Sequence, residues 1–555
     1  MSEVQDYDVA VIGSGAAGLS AAIFAALAGA RTVLIERTDY IGGTTAYSAG
    51  TTWAPNTRLA ATVGATDNPD KVLGFLDRAV GNRSPRAMRE AFVENAPKAI
   101  HTLMDRTEAQ FRACPRHPDY LSEIEGSTLN GRALEPVPFN GSALGADLAL
   151  VRPPIPEFTI LGGLMVDRTD IAHLLGMTKS LKSLAYSIKL VSGFLRDKLR
   201  HGRSARLVMG NALIGRLLLS ARQAGVTIRT QTTVTDIQTG SETLLSLKSG
   251  ETLRIKGGVI LATGGFGRHP TRRAEMLPTP TAEHSPAAPG HTGELHDIAL
   301  RLGATYGDGA QTNAFWAPVS TRQRPDGTWA VFPHFVFDRS KPGIIAVGKD
   351  GKRFTNESRS YHEFAQAQQA TGTLPAYLVT DANGLKTYGL GMVRPGGMGA
   401  KALLKDGYLT EAPTLDALAQ RLGIDAAGLK DTAQRMNRFA ETGVDQDFHR
   451  GETDYERHNG DANHGPNPTL GKIGTGPFYA VKLMPGDIGA ATGLRTDETA
   501  RLLDKDGTPI PGLYAAGNDM QSIMGGVYPG PGITIGPAIT FGFIAATHAS
   551  ERAKA

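Results

Sequence analysis

Residues 6–36 read DYDVAVIGSGAAGLSAAIFAALAGARTVLIE, a strand, a glycine turn, a helix and a second strand in succession. Val9, Val11 and Ile12 make the short apolar run of a buried strand. Gly13, Gly15 and Gly18 then fall in G-x-G-x-x-G spacing, which serves a tight turn, close pyrophosphate approach and helix packing. The alanine-rich stretch 19–30 predicts a helix whose free N-terminal N–H groups and dipole can hold a pyrophosphate. Residues 33–35 predict the next strand, and Glu36 closes it where an acid takes ribose hydroxyls. A lone glycine motif says little. Strand, helix, second strand and acid in register predict a dinucleotide-binding unit and an α/β fold.

Near the other end, residues 512–541 read GLYAAGNDMQSIMGGVYPGPGITIGPAITF. Gly525, Gly526, Gly530 and Gly532 make a glycine-rich loop with one phenol, Tyr528, stiffened by Pro529 and Pro531. Glycine lets a main chain approach a ligand without a Cβ, so the loop is expected to present bare N–H groups. A phenol beside such amides suits a ketone oxygen that must become an enolate. The apolar, small-residue run 533–543 predicts a buried helix.

Two more segments separate FAD from NAD. Residues 37–50, RTDYIGGTTAYSAG, add a glycine pair (Gly42, Gly43) and the hydroxyls of Thr44, Thr45 and Ser48. This resembles the segment along the flavin pyrophosphate and ring in flavoproteins of the fumarate reductase and 3-ketosteroid dehydrogenase superfamily. Residues 257–267, GGVILATGGFG, resemble their second strand and turn, and GLYAAGN (512–518) their third flavin contact. The resemblance implies FAD, held non-covalently because no histidine precedes Thr44. The implied contacts are Gly13, Gly15, Ala16, Ala17, Gly18, Glu36, Arg37, Gly43, Thr44, Thr45, Ser48 and Gly50, then Val234, Ala262, Thr263, Gly264, Gly517, Asn518, Ile533 and Ile535.

A chain of 555 residues suits two or more domains with a large core. Net charge is only +4, and Lys and Arg are dispersed apart from one segment, which argues against a nucleic-acid partner. The single cysteine, Cys114, excludes an intrachain disulfide and suits a reducing cytoplasm. The first strand begins almost at once, leaving no room for a signal peptide, and no apolar run approaches the roughly 20 residues that span a bilayer. The expectation is a cytoplasmic flavoenzyme.

Flavin-binding signals at 8–50, 257–267 and 512–536 imply a discontinuous Rossmann-like FAD-binding domain, 1–283 and 487–555, with an inserted α+β catalytic domain at 284–486. Within the insert, residues 412–438 predict two amphipathic helices with Asp425 as a cap, and Lys505-Asp506-Gly507 predicts a hairpin turn in the second FAD segment. Segment 179–206 stands apart, with eight Lys and Arg against one acid, Asp197. Leu181, Leu184, Ile188, Val191, Leu195 and Leu199 recur at three- and four-residue spacing, so it predicts a basic amphipathic helix. Two readings stand: a helix packed on its own protein or a subunit, or peripheral contact with a membrane supplying quinone.

Over nearly its whole length the chain resembles the 3-ketosteroid Δ1-dehydrogenases, through GGTTAYSAG (42–50), RFTNESRSYHEF (353–364), PNPTLG (466–471), PFYAVKLMPGDIG (477–489), GLRTD (493–497) and YPGPG (528–532). The resemblance implies Tyr361 as the base that takes the proton beside the ketone, with Tyr120 supporting it by hydrogen bonding. It further implies that Tyr528 and the Gly532 amide hold the ketone oxygen while hydride leaves for the flavin. His362 and Arg359 are further candidates for stabilising a Tyr361 phenolate, and His117 beside Tyr120 is a candidate for tuning the site. Competing expectations are a small ring ketone such as cyclohexanone as substrate, a fumarate-type or enone reductase, and a pure electron-transfer flavoprotein. The reductase is disfavoured because 525–536 contains no arginine and 486–493 no histidine. The only histidine–acid cluster, DYERHNGDANH (454–464), is read as a solvated turn.

Overall fold

The computed structural model describes residues 5–240, 242–281, 283, 285–335 and 338–555. The chain enters β1 (Gln5–Ile12), turns into α1 (Ala16–Leu27) and returns through β2 (Thr32–Ile35) and the short β3 (Thr52–Trp53). A helical hairpin, α2 (Arg168–Leu175) and α3 (Leu181–His201), precedes β4 (Thr227–Arg229), β5 (Val234–Gln238), β6 (Thr243–Leu247) and β7 (Thr252–Leu261). Next come β8 (Ala314–Gln323), β9 (Trp329–Pro333), β10 (Ile344–Val347), α4 (Tyr361–Thr371), β11 (Ala376–Asp381) and β12 (Leu409–Ala412). The elements α5 (Asp454–Asn459), β13 (Phe478–Ala490), β14 (Arg501–Leu503), β15 (Pro509–Ala515) and α6 (Ile535–Lys554) follow.

One sheet runs β4-β2-β1-β7-β6-β5, with β15 on the C-terminal half of β7 and β14 on β15. Strands β4, β2, β1, β7 and β15 are mutually parallel, whereas β5, β6 and β14 join antiparallel. The parallel strands read as unbroken apolar runs because they are buried: α1 and α6 pack on each other and on β1, and Val9, Val11, Val33, Leu34, Val259 and Ile260 are fully buried. This is the α/β architecture expected. Helix α1 begins at Ala16 rather than 19, so the glycine turn itself supplies the helix N-terminus.

The second sheet, β9-β8-β13-β11-β10 with β12 also on β13, is antiparallel throughout. Its flank carries helices Leu415–Leu422 and Ala426–Thr442, the latter capped by Asp425 accepting from Ala427 N and Gly428 N. Of the two expected domain boundaries, residue 284 lies outside the described residues and 486/487 falls within β13. A network fixes the loop that enters α4. Glu357, fully buried, accepts from Arg353 and Arg450, while Arg353 also reaches Asp445.

Helix α3 forms as predicted, with Ser180 as N-cap and Gly202 as a left-handed C-cap. It packs on its own protein through the face away from the predicted apolar stripe. Leu190 and Phe194 face the protein and pack with Leu164, while Leu181, Ile188, Leu195 and Leu199 are 85%, 60%, 54% and 90% exposed. The periodic stripe is the outward one. Two phenylalanine- and leucine-bearing turns on the opposite side were enough to dock the helix, leaving the longer stripe uncovered.

Candidate active site

The C-terminal ends of β1, β2, β7 and β15 deliver Ile12, Ile35, Ala262 and Ala516 to one cavity of about 1270 Å3. Ligands of open α/β sheets bind at such strand ends. The glycines there divide by role. A Cβ on Gly13 would lie 2.2 Å from Ala262 O, and one on Gly18 would lie 1.8 Å from Gly13 O, so both serve backbone packing. A Cβ on Gly15 would meet nothing nearer than Thr45 Oγ1 at 3.8 Å, so its bare face is turned to the cavity. That is the cradle a pyrophosphate requires.

Around it the polar groups suit a dinucleotide. Glu36 is buried; its carboxylate accepts from Ser14 Oγ at 2.5 Å and Thr38 Oγ1 at 2.8 Å, which holds it at the cavity rim. Ala16 N donates to Thr45 Oγ1 at 3.2 Å. Arg152, which sequence reasoning missed, is 4% exposed at the cavity wall, and its Nε has no acceptor among the described residues. An unpaired buried guanidinium N–H is costly unless a ligand meets it, so the donor set fits an anionic cofactor. Opposite, Asp519 clamps the second and third flavin segments together, accepting from Thr263 N, Thr263 Oγ1 (2.9 Å), Gly265 N (2.8 Å) and His296 Nε2 (2.9 Å). Burial opposes its ionisation, but the hydrogen bond and charge of His296 prevail and hold the carboxyl below its usual range. His291, another residue without a sequence signal, lies 3.2 Å from Thr44 Oγ1, and burial pushes its imidazole down to about 4.

Most of the expected cofactor contacts line this cavity: Gly13, Gly15, Ala16, Ala17, Glu36, Arg37, Gly43, Thr44, Thr45, Ser48, Gly50, Val234, Ala262, Thr263, Gly264, Gly517, Asn518 and Ile535. Two do not. Gly18 faces Gly13, and Ile533 is buried in the core at 1% exposure.

At the far side of the same cavity stand Tyr120, Tyr361, Tyr528 and Gly532. Tyr361 opens α4 behind the N-cap Ser360, Tyr120 comes from a loop, and Tyr528 from the glycine-rich segment. Tyr120 N donates to Pro529 O at 2.8 Å, which pins the two loops together. The Tyr120 and Tyr528 rings stack at 5.5 Å, and Tyr361 sits edge-on to both, at 5.6 and 5.1 Å. The Tyr120 and Tyr361 hydroxyls are 3.3 Å apart. Gly532 has φ +89°, and a Cβ there would lie 2.3 Å from Thr51 O. Gly530 likewise packs on Trp53. These glycines therefore serve close packing on β3 rather than ligand approach alone, while the Gly532 N–H has no backbone acceptor among the described residues.

Neither proposed phenolate stabiliser reaches that role. His362 Nδ1 accepts from Trp316 N at 3.1 Å and Nε2 donates to Gly526 O at 3.0 Å, which fixes a neutral tautomer; burial pushes it down to about 4. Arg359 is engaged by Glu123 and Glu456. Burial therefore raises the Tyr361 and Tyr120 phenols well above 10, and Tyr528 also rises. A fourth phenol, Tyr455 on α5, was missed by sequence reasoning because nothing local marks it. Its ring lies 4.7 Å from Tyr120, and its buried hydroxyl has no protein partner. Among the described residues no cluster of His, Cys, Asp and Glu could hold a metal ion.

Residues 8–535 match the family model described as FAD binding domain. A 3-oxosteroid 1-dehydrogenase of Mycolicibacterium smegmatis is 35% identical, the alignment covering 99% of this chain and 98% of the relative. A 4-oxocyclohex-2-ene-1-carboxylate 5-dehydrogenase of Sinomonas cyclohexanicum is 34% identical over 99% and 94%. The crystal structure of a 3-ketosteroid delta1-dehydrogenase from Sterolibacterium denitrificans, in complex with 1,4-androstadiene-3,17-dione, superposes with a TM-score of 0.90 at 32% identity, covering 99% of this chain and all of that one (100%). The chain belongs to the family of FAD-binding flavoproteins that contains the 3-oxosteroid 1-dehydrogenases.

Proposed function

We propose that this protein carries out the FAD-dependent 1,2-desaturation of a cyclic ketone, in the manner of a 3-ketosteroid Δ1-dehydrogenase. The observation that carries the reading is the triad of phenols, Tyr120, Tyr361 and Tyr528, gathered beside the Gly532 amide on the cavity that the flavin segments form. FAD, when bound in the Gly13–Gly15 cradle, supplies the hydride acceptor. Tyr528 Oη and Gly532 N donate to the ketone oxygen and stabilise the enolate that forms as the α-proton leaves. Tyr361, as phenolate, takes that proton, and Tyr120 donates a hydrogen bond to it. The ring stacking around these phenols excludes water, which strengthens each hydrogen bond and raises the cost of ionising the base. The ketone end presents phenols rather than the guanidinium a dicarboxylate reductase needs to deliver a proton.

Anaerobic mixing with 4-androstene-3,17-dione and with 4-oxocyclohexanecarboxylate, followed by flavin absorbance, tests the reading. Bleaching by either ketone supports it, and the more efficient one defines the ring system. Bleaching by neither, with reoxidation of reduced flavin by fumarate, would replace it with a reductase. Acid precipitation should leave the yellow colour in solution, as non-covalent FAD requires.

For the electron acceptor we favour a quinone reached at a membrane surface. The supporting observation is the outward stripe of α3, flanked by Lys182, Lys189, Arg196, Lys198 and Arg200, beside Leu175 and Met177, which line the cavity. No helix among the described residues is long and apolar enough to cross a membrane, so contact would be peripheral. Co-sedimentation with phosphatidylglycerol vesicles that is lost in Leu181→Ser/Leu199→Ser supports this; equal sedimentation of the variant, or none by either, would remove it.

A further inference from the structure

The cavity wall beyond Tyr120 carries charge that the ketone chemistry does not use. Arg168 lines it at the start of α2 and makes no hydrogen bond or ion pair among the described residues. The acids on the cavity are already committed. Glu135 pairs with Arg112 at 3.2 Å, Glu157 with Arg324 at 2.8 Å, Asp338 with His334 at 2.6 Å, and Asp167 caps α2. Lys341 lines the same cavity, its ammonium donating only to the carbonyls of Asn459 (2.8 Å) and Gly460 (2.7 Å), with Asp461 and Asp338 in its wider surroundings.

Beside Arg168, His117 lines the cavity, and its ring lies 6.2 Å from that of His458 on α5. His117 Nδ1 is buried without a partner, and the Tyr455 hydroxyl near it is likewise unmet. Burial, with Arg168 as the next cause, pushes His117 down to about 3 and His458 down to about 4, so both are neutral donors or acceptors under ordinary conditions. The protein has buried two imidazoles beside an arginine that is itself exposed at the cavity and has no carboxylate partner among the described residues. The buried His117 Nδ1 and Tyr455 hydroxyl cost stability unless a ligand or water meets them.

We propose that Arg168, Lys341 and His117 form a subsite for a carboxylate carried by the ring ketone on the side away from its carbonyl. The proposal rests on the ring-ketone reading above and narrows it to acidic substrates: keto-ring carboxylic acids, whether monocyclic or steroidal. Arg168 binds the carboxylate by charge-assisted hydrogen bonds, His117 Nδ1 contributes a neutral one, and Lys341 adds field. Tyr120, three residues from His117, joins this wall to the ketone end of the same cavity.

The test compares each acid with its methyl ester: 4-oxocyclohexanecarboxylate, and 3-oxo-4-androstene-17-carboxylate. The holoenzyme should prefer at least one acid by about tenfold or more in kcat/KM, because an ester accepts hydrogen bonds without charge. Arg168→Gln should collapse that acid-to-ester ratio toward one and Arg168→Lys should preserve most of it, while Lys430→Gln, on the helix Ala426–Thr442, should leave it as it is. Equal use of acid and ester by the unmodified enzyme overturns the subsite and leaves the ketone reading standing. A ratio that survives in Arg168→Gln removes Arg168 from it. Flavin reduction by none of the ketones overturns both.

Discussion

Tyr120 Oη donates to Tyr361 Oη across 3.3 Å, although 241 residues separate the two in the chain. The bond crosses from a loop between β3 and α2 in sequence to the first residue of the helix that flanks the antiparallel sheet. The proposed base and its proposed hydrogen-bond donor thus come from segments far apart in the chain, and only their packing makes the pair.

Removing the Tyr361 hydroxyl should therefore stop proton abstraction without disturbing the cofactor. In Tyr361→Phe, flavin reduction by substrate should fall by about 10²–10⁴, the usual contribution of a positioned acid or base. FAD content should stay normal, because Tyr361 stands apart from the glycine cradle. Stopped-flow absorbance with a flavin titration checks both, and a full rate would remove the base.

Tyr528→Phe should lower the same rate by about 10²–10³ through loss of one oxyanion donor. Tyr120→Phe should have the smaller effect, since Tyr120 acts through Tyr361. Reversal of that order would interchange their roles.

The rate should climb with pH. Burial holds the Tyr361 phenol well above 10, so at neutral pH only a small fraction is phenolate. Reduction should rise about tenfold per pH unit between pH 7 and 9, the slope of a single ionising base far below its pKa. Residual activity in Tyr361→Phe should lose that slope; an invariant slope would assign the titration elsewhere.

Gly15 and Gly18 should respond differently to alanine. A Cβ on Gly18 would sit 1.8 Å from Gly13 O, so Gly18→Ala should fail to fold or lose stability. A Cβ on Gly15 meets no protein atom within 3.8 Å, so Gly15→Ala should fold as an apoprotein with reduced FAD affinity. Thermal melts with and without added FAD separate the two outcomes.

The buried carboxylates Glu357 and Asp445 should make stability pH-dependent. Burial opposes ionisation of Glu357 and Asp445, but Arg353, with Arg450 on Glu357, holds both below their usual range. Their contribution is fully present above the unfolded carboxyl value of about 4 and is lost as pH falls through the lower folded values. Glu357→Gln should cost about 3–5 kcal/mol, since it leaves the buried Arg450 without its carboxylate while Arg353 keeps Asp445. A denaturant titration at pH 7 reads that loss directly, and a shift below 1 kcal/mol would show the network to be dispensable.

What local sequence could reveal, it revealed well. The turn at Gly13–Gly18, Glu36, the Asp425 cap and the α3 helix each depend on neighbours within one or two turns of chain, so their spacing carries the information. The identity of the cofactor followed from three such segments in order. Arg152, His291 and Tyr455 carried no comparable signal, because an arginine, a histidine or a tyrosine in a loop or short helix looks the same whether it faces solvent or a cavity.

By itself, then, the sequence determined the parallel sheet, its dinucleotide turn and the residue types available for chemistry, all of which are set by short-range backbone preference and hydrophobic period. The tertiary structure alone decided which face of α3 stays in water, that Gly530 and Gly532 serve contact with β3, and that four phenols from distant segments meet. Those outcomes depend on which surfaces close against one another, and burial then changes what each group does: it raises the phenols and neutralises His117, His291 and His362.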